Sequence, residues 1–229
     1  MPHPAPASTR AGLIWRIVIP VLLGAGGLFA SSHADTGSWQ FYLATFFTAA
    51  IRLGTWLKWG DRRCFSGAAP RELARGAGIG IALIILFLLG ALIVRSIPTL
   101  AGPVSDLLDN MRHGSVPMTL ATLIINGVGE ELFFRDVARR ALSDASSPTP
   151  SLIFQVALYI AVTAAMGVPL LLVASVLIGS IAALEARRAD NLISATTLHL
   201  VWSTGMAFVL PGLIHERVAL PIPSRFPSG

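Results

Sequence analysis

The chain has 229 residues, of which 54% are hydrophobic and 13% charged, and its mean hydropathy is +0.70. The formal net charge of +5 would suggest a nucleic-acid partner in a soluble protein, but here the arginines lie between long apolar runs, where they set membrane topology. Composition therefore argues against nucleic acid and indicates an integral membrane protein. The single cysteine, Cys64, excludes an internal disulfide and makes cysteine-based chemistry an unattractive basis for function.

Seven apolar segments predict a polytopic, all-α transmembrane bundle of about seven spans in one domain covering residues 1–229. Because the fifth segment is short for a crossing, six or eight spans remain open, and Gly167 and Pro169 predict a tight helical hairpin after it. The proline-rich ends, residues 1–10 and 218–229, are predicted to be flexible tails. The predicted spans are Leu13–Ala30, Trp39–Leu57, Gly78–Ile97, Met118–Arg139, Ser151–Met166, Val168–Leu184 and Leu192–Leu210.

Basic residues predict the orientation of the bundle. With seven spans, most of the arginines before the first span and in alternate connections fall on one side, which the positive-inside rule makes cytoplasmic. We therefore expect a cytoplasmic N-terminus, and the preference for arginine over lysine suggests a bacterial plasma membrane. The first span also resembles a secretory signal peptide, although an uncleaved anchor is the favoured interpretation.

The fourth span carries two adjacent carboxylates and a nearby arginine, which a membrane helix would normally avoid. Glu130 and Glu131 are adjacent, and Arg135 follows four residues after Glu131. Charge in hydrocarbon costs several kcal/mol, so these side chains need partners, a wet cavity or a function. On a helix Glu131 and Arg135 share a face, whereas Glu130 points about 100° away, toward another neighbour.

His199 in the last span is predicted to meet these carboxylates. In the predicted topology Glu130 and His199 each lie about nine residues, or roughly 13 Å, from the cytoplasmic face. A buried carboxylate can accept a proton from water, and an imidazole can bind a divalent metal or donate to an oxyanion. Glu130, Glu131, Arg135 and His199 are therefore the candidate catalytic residues, with Glu130 and His199 as possible metal ligands.

Structural roles remain open for the same residues. Glu131 and Arg135 could form an interhelical clamp without chemistry, because buried ion pairs often only join helices. A single histidine in a membrane span is often a hydrogen-bond bridge. Glu130 has no partner at ion-pair spacing on its own helix, which favours a functional role for it.

The motif GEELFFR, Gly129–Arg135, resembles the first motif of the CPBP family of intramembrane proteases, which includes CAAX prenyl endopeptidases and Abi bacteriocin-processing or immunity proteins. That motif is two glutamates, three residues and an arginine. His199 falls where the family's last motif, His-x-x-x-Asn or Asp, begins. The resemblance covers roughly residues 76–210, a CPBP/Abi-like core.

The resemblance implies an intramembrane endopeptidase in which Glu130 activates water, assisted by histidines that bind a metal such as zinc or stabilise the oxyanion. Two positions differ from the family pattern. Leu158 follows Phe154 where the middle motif, Phe-x-x-x-His, has histidine, and Ser203 ends the last motif. With one imidazole, a zinc site would have fewer protein ligands than catalytic zinc usually has, so metal-independent water activation gains weight.

Three functions therefore remain in view. The leading prediction is an intramembrane protease that hydrolyses a peptide bond of a membrane-associated peptide or protein, with the lipid bilayer as its other partner. A non-catalytic immunity or scaffold protein with the same bundle is the first alternative. A small proton-coupled transporter that uses Glu130 as a proton relay is the second.

Overall fold

The computed structural model describes residues 11–35, 37–94 and 115–215. Within these ranges the chain forms helices and no strands, which confirms the all-α prediction. The predicted tails at 1–10 and 218–229 lie outside the described residues. Helix α1 joins a π-helical turn, Ile14–Val18, to Ile19–Ser32, and α4 joins Val116–Glu130, a π-helical segment Glu131–Ala138 and Arg139–Ala145. The other helices are α2 (Trp39–Trp59), α3 (Ala69–Val94), α5 (Pro148–Ala164), α6 (Pro169–Ala189) and α7 (Ile193–His215).

Each of the seven predicted segments corresponds to one of these helices. Among the described residues, four stretches are long and apolar enough to cross a membrane: Ala11–Ser32, Ala69–Ile93, Pro169–Ala189 and Ile193–Leu210. Helix α5 is apolar but shorter, as expected from its sequence. The helical bundle is thus confirmed, while the number of crossings stays a prediction.

Helix α4 lies at the centre of the bundle, where it packs against α2, α5, α6 and α7. Glycines allow close approach around it, as membrane helices commonly require. A Cβ on Gly127 of α4 would lie 2.8 Å from the Leu200 side chain of α7, and one on Gly80 of α3 would lie 2.9 Å from Val201. Gly80 of α3 and Gly127 of α4 are therefore helix-packing positions.

Two tight connections bring the last three helices together. Gly167, between α5 and α6, has φ +71°, a left-handed conformation that glycine adopts without strain. After α6, Asp190 takes φ 49°, and Asn191 accepts a hydrogen bond from the backbone N–H of Ile193 at 3.0 Å. The second turn starts α7 and sets the position of His199 two turns along it.

Candidate active site

The Glu-Glu-x-x-x-Arg motif lies where α4 changes from α-helical to π-helical geometry. All eight residues of the π-helical segment Glu131–Ala138 are buried. A π-helix has more residues per turn than an α-helix, and short π segments occur frequently at functional sites. Glu131 and Arg135 lie on the same face of this segment, as the sequence spacing predicted. Their closest atoms, Nε and Oε2, are 3.2 Å apart.

His199 of α7 reaches both glutamates. Its Nδ1 lies 2.7 Å from Oε1 of Glu131, and its Nε2 lies 3.8 Å from Oε2 of Glu130. Because a carboxylate only accepts hydrogen bonds, an imidazole in its neutral form at this position carries its proton on Nδ1 and presents the Nε2 lone pair to Glu130. The predicted convergence of acid and imidazole is therefore present in the structure.

The two glutamates differ in their access to solvent. The side chain of Glu131 is completely buried, whereas that of Glu130 is 16% exposed. The 3.8 Å gap between Glu130 and His199 is too long for a direct hydrogen bond, but it can be bridged by one water molecule. Glu130 is thus the acid that water can reach, and Glu131 is the acid that fixes the imidazole.

Glu130 has two partners that the sequence analysis did not identify. Arg52 of α2 contacts Oε1 of Glu130 through Nη1 at 2.8 Å, and the Tyr159 hydroxyl of α5 donates to Oε2 at 3.0 Å. The sequence contains a signal for each of these residues. Arg52 is the one charged residue in the α2 sequence before Lys58, and a charge within an apolar segment marks a candidate functional residue. Tyr159 ends a polar stripe, Ser151, Gln155 and Tyr159, with the four-residue spacing of one helix face.

The two departures from the family motifs have visible consequences. Phe154 is exposed and Leu158 packs in an apolar cluster, so the residue that α5 presents to Glu130 is Tyr159. Ser203, at the last position of the final motif, donates to the backbone carbonyl of His199 at 2.7 Å. Its hydroxyl therefore bonds to the backbone of its own helix and does not hydrogen-bond to either glutamate.

Arg135 is sealed behind the glutamates. Its side chain is 1% exposed, and its guanidinium lies 4.3 Å from the centre of the Tyr159 ring. Although it is within ion-pair distance of Glu131, its Nε lacks a well-aligned hydrogen bond, as does its Nη1. The attraction to Glu131 is therefore mainly between charges, and Arg135 holds the carboxylate and the ring in place.

A divalent metal fits this donor set poorly. Among the described residues no group of three or more histidine, cysteine, aspartate or glutamate side chains could hold a metal ion. Glu130 and His199 face each other, but Glu131 is engaged with the imidazole and Arg135, and Arg52 adds a positive charge at Glu130. Catalytic zinc normally has three protein ligands. Glu130 and His199, the possible metal ligands, would therefore provide two protein ligands, fewer than catalytic zinc usually has.

Comparison with known proteins agrees with the motif. No curated protein and no solved structure matches the chain. A family model described as Type II CAAX prenyl endopeptidase Rce1-like matches residues 112–205, which contain the α4 motif, Tyr159 and His199. The apolar helices of the chain and this family match together identify an integral membrane protein. The predicted resemblance to CAAX-type membrane proteases is thereby confirmed over residues 112–205.

Proposed function

We propose that this protein is a membrane endopeptidase in which Glu130 activates water against a peptide bond of a membrane-associated substrate. The observation that carries the proposal is the 3.8 Å gap between Glu130 Oε2 and His199 Nε2. Both atoms are acceptors when the carboxylate is charged and the imidazole neutral. One water can donate an O–H to each, which leaves its lone pairs free to attack a carbonyl carbon.

The step then balances without further reagents. The water oxygen forms a bond to the carbonyl carbon, the carbonyl electrons move to oxygen, and Glu130 takes the proton of the water. Collapse of the tetrahedral intermediate breaks the C–N bond, and the proton passes from Glu130 to the leaving amine. His199 orients the water, and Glu131 holds the imidazole in the required tautomer. No step passes through a metal.

A non-catalytic relative is the second candidate. It is favoured by the contacts of Arg52 and Tyr159 with Glu130, because a carboxylate held by a cation and a phenol is also a stable structural element. The two candidates differ in one property, since only an enzyme requires Glu130 to accept a proton.

Replacement of Glu130 tests the proposal. Purified protein is reconstituted in liposomes with quenched fluorescent peptides, one carrying a C-terminal prenyl group and one without it. We expect Glu130→Gln to lower turnover by at least about a hundredfold, because the amide cannot act as a base. Ser203→Ala should keep most of the activity, since its hydroxyl contacts only the backbone. Equal turnover by wild type and Glu130→Gln would refute the mechanism, and a folded wild type that cleaves neither peptide would favour the non-catalytic relative.

A further inference from the structure

Arg52 lies outside the segment matched by the family model, yet it contacts the proposed catalytic acid. It is carried by α2, its side chain is only 2% exposed, and Glu130 is its one carboxylate partner among the described residues. Burying a guanidinium costs several kcal/mol unless it is paired and hydrogen-bonded. Helix α2 therefore contributes a charged side chain to the site, in addition to packing against the matched segment.

Most of the Arg52 guanidinium remains free to bind something else. Its Nη1 contacts Glu130 at 2.8 Å and Asn126 at 3.4 Å, while Nε and Nη2 donate to none of the described residues. Nε and Nη1 of Arg135 are buried away from solvent without a hydrogen-bond partner, whereas Nε and Nη2 of Arg52 are not buried in this way. On the α1 side, Gly24 has no side chain, and even an added Cβ would lie 4.0 Å from Nε of Arg52.

The proposed reaction needs a donor that the other residues do not supply. Negative charge develops on the carbonyl oxygen during attack, and preorganised donors at that position usually make the largest contribution to catalysis. His199 presents a lone pair at Nε2, the Tyr159 hydroxyl is engaged by Glu130, and Arg135 is sealed. Among the described residues of the cluster, Arg52 combines a fixed positive charge with unused N–H groups.

We propose that Arg52 is a catalytic residue, which holds Glu130 through Nη1 and stabilises the oxyanion of the tetrahedral intermediate through its free N–H groups. This inference rests on the proposed function. It also makes α2, which lies outside the matched segment, part of the catalytic unit. The ligand of this site is the carbonyl oxygen of the scissile peptide bond as it becomes negatively charged.

Chemical rescue separates this role from a structural one. In the liposome assay we expect Arg52→Ala to lower kcat by about a hundredfold or more with a much smaller change in KM, the cost typical of a lost oxyanion donor. Millimolar guanidinium chloride should restore part of kcat in Arg52→Ala, because the ion can occupy the vacated space. The same salt should leave Glu130→Gln inactive. Arg75→Ala, which removes an arginine outside the site, is the matched control and should keep wild-type kcat.

Several results would overturn the assignment. These are a wild-type kcat in folded Arg52→Ala, or a loss of activity that guanidinium does not reverse in a folded variant. If Arg52→Ala does not fold, Arg52→Lys decides, because lysine keeps the charge beside Glu130 but lacks the planar array of donors. A folded Arg52→Lys with kcat lowered tenfold or more supports the role, and full kcat contradicts it. Failure of the proposed function itself appears separately, as equal turnover by wild type and Glu130→Gln.

Discussion

Two clusters in this protein contain the same number of glutamates and arginines but differ in the hydrogen bonding and solvent exposure of these side chains. The Glu130 cluster joins α2, α4, α5 and α7, and the Glu185 cluster joins α3, α6 and the start of α7. Each has two glutamates and two arginines. The Glu130 cluster consists of Arg52, Glu130, Glu131, Arg135, Tyr159 and His199, and the Glu185 cluster of Glu72, Arg75, Glu185, Arg188 and Ser194.

The Glu185 cluster is fully hydrogen-bonded. Glu185 accepts two bonds from Arg75, at 2.7 and 2.8 Å, and one from the Ser194 hydroxyl at 2.9 Å. Arg188 bridges Glu185 and Glu72. The Arg75 and Arg188 side chains are 46% and 36% exposed, so water solvates what the glutamates do not. Such a cluster fastens three helices and retains no unused donor or acceptor in the interior.

The Glu130 cluster is more deeply buried and less complete. Its arginines, Arg52 and Arg135, are 2% and 1% exposed, and Oε2 of Glu131 has no well-aligned hydrogen bond. A gap remains between Glu130 and His199. Incompletely satisfied polar groups in a buried site are costly to keep, and ionisable groups in such sites are candidates for function. The Glu185 cluster therefore has the contacts of a structural fastening between helices, whereas the Glu130 cluster keeps the incomplete contacts on which the proposed chemistry depends.

The largest expected difference between the clusters is in turnover. Glu131→Gln should lower kcat about 10- to 100-fold, because the amide no longer holds a charged acceptor against Nδ1 of His199. Glu185→Gln is the matched control with the same chemical change in the other cluster, and its kcat should stay within about twofold of wild type. Both variants are measured with the prenylated and unprenylated peptides in liposomes. Equal losses in the two variants would show that the distinction between the clusters is wrong.

The next difference is in stability. Glu185→Gln should lower the melting temperature, because Arg75 and Arg188 lose the charge on their shared partner. The effect should be modest, since both arginines are partly exposed, and it should shrink as salt is raised. Thermal unfolding in detergent at low and high salt measures it. An unchanged melting temperature at both salt concentrations would mean that this cluster does not fasten α3 to α6.

Much of this arrangement is readable from the sequence, because helix period and charge act locally. Glu131 and Arg135 pair as their spacing requires, and the depth estimate brings His199 to both acids. The hairpin at Gly167 is also confirmed. These features depend on a single helix, or on two helices whose ends lie on the same side of the bundle.

The contribution of the N-terminal helices is harder to predict. The sequence resemblance to the protease family covers residues 76–210 and implies no role for the residues before them, yet Arg52 contacts Glu130. Which helix lies beside α4 depends on long-range packing, which no local period encodes. An arginine within an apolar segment was the available signal, and it marks a residue without naming its partner. The π-helical geometry of Glu131–Ala138 could not be predicted from the sequence either, because it produces no distinct period of apolar residues.

The smallest expected effect concerns Cys64, which lies in the connection between α2 and α3. Helix α2 carries Arg52 of the Glu130 cluster, and α3 carries Glu72 and Arg75 of the Glu185 cluster. Its backbone carbonyl accepts a hydrogen bond from Leu192 N–H at 2.7 Å, and its thiol is buried. Burial raises the pKa of the Cys64 thiol to about 11, and the nearby charges of Asp136 and Asp61 add to the shift.

The thiolate, which is the reactive form, is therefore scarce below about pH 11 and becomes abundant only as pH rises through that value. At pH 8 we expect folded protein to react with maleimide far more slowly than a free cysteine peptide, and denaturation to restore the ordinary rate. Turnover should be unchanged in Cys64→Ser, because this connection lies outside the Glu130 cluster. Rapid labelling of the folded protein at pH 8 would contradict the packing of this connection against the α6–α7 turn.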